Sequence, residues 1–121
     1  MSTKFLQDRQ FDHLTYVRLI QGAKDAGSVS QAWLYLEAAH LVGQLHIKPH
    51  FETHVQMLRL SVRTRDWAEA GGQLLRLALV PLGNLSGRLP LGNPGRATVS
   101  AFESLPVRPE LAKLIAQTKR R

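Results

Sequence analysis

The chain has 121 residues, 44% of them hydrophobic, which is enough for one domain with a modest core and no need of staples. It contains no cysteine, so disulfides, cysteine-ligated zinc, iron–sulfur clusters and thiol nucleophiles are excluded, and any metal must be held by His, carboxylate or Met. The net charge of +7 is concentrated at the end: residues 108–121 carry +4 from Arg108, Lys113, Lys119, Arg120 and Arg121 against Glu110, and no base-reading basic face accompanies it.

The sequence reads as an all-α chain. A first helix is expected from Lys4 or Phe11 to Ala26, with His13, Tyr16, Ile20 and Ala23 on one stripe and Gly27 as its stop. Ser28 or Ser30 offers the cap for a second helix over Gln31 to Gln44. That helix is apolar nearly all round and therefore central, which makes Glu37 and His40 conspicuous.

Pro49 opens the third helix. Its expected core stripe is Phe51, Val55, Leu58 and Val62, with His50, His54 and Met57 on the adjacent stripe. Asp66 caps the fourth, Trp67 to about Leu79, whose apolar face is Trp67, Ala70, Leu74 and Ala78 with Glu69, Gln73 and Arg76 opposite; Pro81 and Gly83 end it.

Residues 81–96 are turn chemistry, and Thr98 to Phe102 is expected as a short extended piece. Leu85, Leu89, Leu91 and Phe102 are expected to pin this long loop to the bundle. Pro106 and Pro109 frame a last short helix, Glu110 to about Gln117. The resulting organisation is a four-helix core over 1–80, with 81–121 packed on it as part of one domain. Ala32-x3-Leu36-x2-Ala39 resembles the second helix of a tetratricopeptide repeat and Gly43-Gln44 is echoed by Gly72-Gln73, but tandem antiparallel hairpins suit a four-helix bundle and a tetratricopeptide-like stack equally, so both stand.

The antiparallel second turn carries the chemistry. If it centres near Ile47, residues whose numbers sum to about 94 lie level, so His40 meets His54, Gln44 meets His50 and Glu37 meets Met57. Glu37 and His40 share a face at i, i+3, and His50 and His54 share one at i, i+4. Imidazoles and a carboxylate so placed can converge on one ion. The candidate ligands are therefore Glu37, His40, His50 and His54, with His13 and His46 as possible additions. A mononuclear zinc, nickel, copper or iron site is the simplest to build, since a second Glu-x-x-His is absent and a di-iron centre lacks its other half. The plainer alternative is a structural polar network, in which Glu37 bonds Arg76 or Tyr16.

Leu36-Glu37-Ala38-Ala39-His40-Leu41-Val42-Gly43-Gln44, then His50-x3-His54-x2-Met57, Gly72-Gln73-x2-Arg76 and Pro90-x-Gly92-Asn93-x-Gly95 together resemble a bacterial family known as a domain of unknown function. The resemblance runs from about Trp33 to Leu111. It implies that Glu37, His40, Gln44, His50, His54, Gln73, Arg76 and Asn93 hold the family's characteristic positions, and it suggests a link to heavy-metal handling. Pro94 inside the Gly92–Gly95 turn departs from the pattern.

Three functions follow in order: a metal-binding accessory protein, a helical protein–protein interaction module without catalysis, and a small metallohydrolase with Glu37 as general base. No reaction is assigned and no catalytic residue is named. A protein partner or homodimer fits the apolar loop residues; specific nucleic-acid binding and membrane insertion do not fit, and a cytoplasmic location is expected.

Overall fold

The computed structural model describes residues 10–121 and is all-α, with no strand among them. Five helices follow in order: α1 (His13–Asp25), α2 (Val29–Gly43), α3 (Ile47–Arg63), α4 (Trp67–Ser86) and α5 (Pro109–Lys119). The expected start at Lys4 lies outside the described residues.

Each helix start has a local cause. Asp12 accepts the Thr15 N–H and hydroxyl, Ser28 accepts the Gln31 N–H, and Asp66 accepts the Glu69 N–H, all side-chain caps on donors the first turn leaves unpaired. In α3 Pro49 sits in the first turn, where its missing N–H costs nothing; in α5 Pro109 is the first residue.

Chain neighbours pack in pairs, α1 on α2, α2 on α3 and α3 on α4, while α5 closes over α1 and α2. The short turns make the successive pairs antiparallel. The apolar core lies mainly between α1, α2 and α5. Tyr16, Leu19 and Ile20 meet Trp33, Leu36 and Leu41, with Leu111 and Ile115 from α5; α3 adds Met57 and Leu60. Helix α4 adds nothing to this cluster.

That last point reverses two expectations. On α3 the buried stripe is His50, Thr53, His54, Met57, Leu60 and Ser61, whereas Phe51 and Val62 are 43% and 47% exposed. On α4 the buried residues are Glu69, Ala70, Gln73, Arg76 and Val80, whereas Trp67 and Leu74 are 64% and 59% exposed. Hydrophobic periodicity assigns the apolar stripe to the interior. Here the polar stripes are interior because they satisfy one another across the α3–α4 contact, and a hydrogen-bonded buried polar group carries little penalty.

Helix α4 also passes through Pro81 and stops only at Gly87, whose φ of 74° suits a left-handed helix end. An interior proline costs about 3 kcal/mol. Val80 buried at 2% exposure and Asn84, bonded to the C-cap of α2 and to His50 of α3, hold the two extra turns against that cost.

Residues 98–102 are turns rather than an extended piece. The loop is not pinned by Leu85 or Phe102, which are 82% and 75% exposed; Leu91 does pack on the core. Its anchors are polar. Asn93 is buried, donates to Ser100 O and Glu103 O, and accepts from Gly95 N. Glu69 of α4 accepts the Ala97 N–H and the Arg96 Nε–H. Backbone carbonyls in an irregular segment need donors, and Asn93 supplies two from one side chain.

Candidate metal centre

Three polar stripes face one another where α2, α3 and α4 meet. Helix α2 contributes Glu37 and His40 and its C-cap Gln44, helix α3 His50 and His54, and helix α4 Glu69, Gln73, Arg76 and Asn84. His40 and His54 lie level across the α2–α3 turn, with their Nε2 atoms 3.1 Å apart. His50 completes the group: one ring nitrogen from each of the three imidazoles lies within 4.8 Å of the others, and all three rings are buried.

Amide side chains of α4 fix how two of these rings are protonated. Gln73 Nε2 sits 2.8 Å from Glu69 Oε2 and 2.9 Å from Gly95 O, both acceptors, so the amide nitrogen must point at them. Its oxygen then faces His54 Nδ1 at 2.7 Å and can only accept. The proton of His54 therefore lies on Nδ1, and Nε2 presents a lone pair. Asn84 repeats the device: Nδ2 donates to Gln44 O at 3.0 Å, so Oδ1 accepts from His50 Nδ1 at 2.7 Å and leaves His50 Nε2 free.

The third ring is different. His40 Nδ1 is buried without a hydrogen bond, although the Asn93 backbone acts on the ring in favour of its protonated form. The loop closes directly over this ring. Gly95 has φ 89°, and a Cβ there would stand 2.7 Å from His40 Cδ2, so only glycine lets the backbone lie against the imidazole.

Electrostatics keep the cluster neutral. Burial pushes all three imidazoles below the ordinary histidine range, and proximity adds to it for His40 and His54, bringing His54 to about 3. Neutral imidazole is the form that binds a metal. Burial alone would raise Glu69, but hydrogen bonds from Ala97 N–H, Gln73 and Arg96 together hold it below the usual carboxylate range. Glu69 thus anchors Gln73, which orients His54.

The donor set suits an ion. Nitrogen ligands about 2.1 Å from a tetrahedral metal stand roughly 3.4 Å from one another. The His40–His54 separation already meets this, and the widest separation in the triad asks for up to about 1.4 Å of side-chain closure. Three converging imidazole nitrogens could hold a metal ion.

The remaining sequence candidates are placed elsewhere. Glu37 does not reach the imidazoles. It is held by Arg108 at 2.5 Å and Arg96 at 3.7 Å, because its side of α2 faces the start of α5 and the loop; burial raises its pKa against the pull of both cations. His13 is exposed, edge-on to Phe11, and His46, the residue before α3, lies against the same ring. Gln44 supports the site through its backbone oxygen and bonds Pro90 O, with its own Oε1 unpaired.

Comparison with known proteins gives one result. The family described as protein of unknown function (DUF3703) matches residues 11–115. The chain belongs to this family. No curated protein and no solved structure shows a significant match to it.

In this DUF3703 chain the sequence pattern missed Asn84, Glu69, Arg96 and Arg108. A signal for the first two exists: Glu69, Gln73, Arg76, Val80 and Asn84 recur at steps of four, three, four and four, a helical stripe that Pro81 and Gly83 disguise. Arg96 and Arg108 lie in irregular chain, where spacing says nothing about which helix they reach. Arg96 also stacks on Trp33, its guanidinium carbon 3.7 Å from the ring centroid.

The imidazoles open onto a cavity of about 290 Å³. Leu79, Val80 and Leu89 form its walls with Arg76, and exposed Leu82, Arg88 and Phe102 form its rim. Glu37 does not line it.

Proposed function

We propose that this protein binds one divalent transition-metal ion through His40, His50 and His54 and serves as a metal-handling accessory protein. The observation that carries the proposal is the pair of amides on α4. Gln73 and Asn84 take the Nδ1 protons of His54 and His50 and leave both Nε2 lone pairs for an ion, an arrangement typical of the groups that orient metal-bound histidines. A purely structural network gives a poorer account of the same atoms. In it His40 Nε2–H donates to His54 Nε2, and His40 Nδ1 is left without a hydrogen bond.

The metal ties α2 to α3 while α4 orients the ligands. Since α4 adds nothing to the apolar cluster, binding energy at this site is also folding energy. Elemental analysis and zinc titration of protein without a histidine tag test the proposal. One ion per chain is expected, with a melting temperature that rises with free zinc, and with His40→Ala and His54→Ala each abolishing stoichiometric binding. Metal well below one equivalent in zinc-, nickel- and iron-supplemented preparations contradicts it.

A protein–protein interaction role is the second reading, favoured by the outward apolar residues Phe51, Val62, Trp67, Leu74 and Leu85. A monomer that recovers no partner, and whose solution mass Trp67→Glu does not change, removes it. The hydrolase reading has lost its base, since Glu37 pairs with two guanidinium groups away from the cavity.

A further inference from the structure

We propose that the cavity beside the three histidines takes a small organic acid with an apolar chain, its carboxylate lying between the bound ion and Arg76. The inference rests on the metal-binding reading and names the ligand that completes the site. Three protein nitrogens leave a divalent ion with a coordination position to fill, and the imidazoles line a cavity rather than packed side chains.

The charge balance at that position favours an anion. All three imidazoles are neutral ligands, so an ion brings two positive charges that they do not offset. Arg76 adds a third. It is 7% exposed and its guanidinium reaches only backbone carbonyls, Gly72 O from Nη1 and Val99 O from Nη2. Among the described residues no carboxylate forms an ion pair with it. Glu69, the carboxylate whose charge acts on Arg76, is already engaged by Arg96, Gln73 and Ala97 N–H. A guanidinium has five N–H donors, so Arg76 retains donors for a ligand after its two carbonyl bonds. Buried charges are ordinarily paired, and a carboxylate between the ion and Arg76 pairs both.

The walls select what the carboxylate carries. Leu79, Val80 and Leu89 line the interior and Leu82 and Phe102 the mouth, so the space beyond the charged end is hydrocarbon. A hydrated inorganic anion leaves these surfaces wet; an alkyl chain covers them. The exposed rim provides the entry path, and Arg88 at the mouth attracts an anion toward it.

Calorimetric titration of zinc, then of sodium hexanoate or acetate, into the full chain tests this. Zinc is expected to bind at one equivalent. Hexanoate is then expected to bind the zinc-loaded protein about tenfold or more tightly than acetate, because each buried methylene adds to affinity. Arg76→Gln is expected to weaken hexanoate by about tenfold or more with zinc stoichiometry retained. Should Arg76→Gln fail to fold, Phe102→Ala at the exposed rim serves instead and is expected to weaken hexanoate several-fold and leave acetate unchanged. Stoichiometric zinc with no carboxylate binding, with equal binding of hexanoate and acetate, or with equally tight hexanoate binding to metal-free protein overturns this inference and leaves the metal site standing. Absence of stoichiometric zinc overturns both.

Discussion

Gln73→Leu is expected to destabilise the metal-free protein by about 2–5 kcal/mol and to weaken zinc binding by about 10–100-fold. Leucine is close to glutamine in size, so the effect is chemical. The change removes the acceptor of His54 Nδ1–H and the donor to Gly95 O, both in the buried contact between α4 and its neighbours. Each orphaned buried group costs about 1–3 kcal/mol. The affinity loss has a separate cause. Without the Gln73 oxygen, His54 has no reason to keep its proton on Nδ1, and a proton on Nε2 competes with the ion. Gln73→Glu separates the two effects. Glutamate still accepts from His54 but cannot donate to Gly95 O and stands against Glu69, so stability falls while zinc affinity is kept. Denaturant unfolding and zinc competition titrations give the two quantities.

Acid is expected to unfold the metal-free protein well above the pH at which carboxylates alone would do so. Burial, with His50 beside it, brings His54 to about 3 in the folded state, and burial likewise lowers His40 and His50. Unfolded histidine titrates near 6.5. Between these values the unfolded chain binds more protons than the folded one, so stability rises with pH. The contribution of His54 is complete above about 6.5 and is lost as pH falls toward 3, at up to about 1.4 kcal/mol per pH unit. With His40 and His50 acting in the same direction, the midpoint for thermal unfolding should fall steeply below pH 6. A melting temperature flat from pH 7 to pH 4 would mean that the imidazoles are hydrated and loosely packed.

The parts of this molecule that the sequence makes legible are those set by local rules. Helix positions follow from Ser28, Asp66, Pro49 and Pro109, and the pairing of His40 with His54 follows from helix rise and one short turn. The illegible parts depend on what faces what. Phe51 and Val62 on α3 and Trp67 and Leu74 on α4 carry the stronger hydrophobic signal, yet they face outward because His54, Gln73 and Glu69 answer one another inside. Asn84 was hidden by two residues that ordinarily end a helix and here do not. Glu37 at i−3 from His40 looks like a ligand, and its real partner Arg108 lies 71 residues away, beyond the reach of any spacing argument.

The proposed metal binding rests on three imidazoles, two of them with tautomers set by amides. The most direct measurement is the X-ray absorption fine structure, supported by an anomalous difference map, of crystals or solutions loaded with one equivalent of zinc. A single ion is expected, with three imidazole nitrogens at about 2.0–2.1 Å, from His40, His50 and His54, and a fourth light-atom ligand on the cavity side. Zinc found instead at the surface histidines His13 or His46, or spread over sites with fewer than three imidazoles, would contradict it.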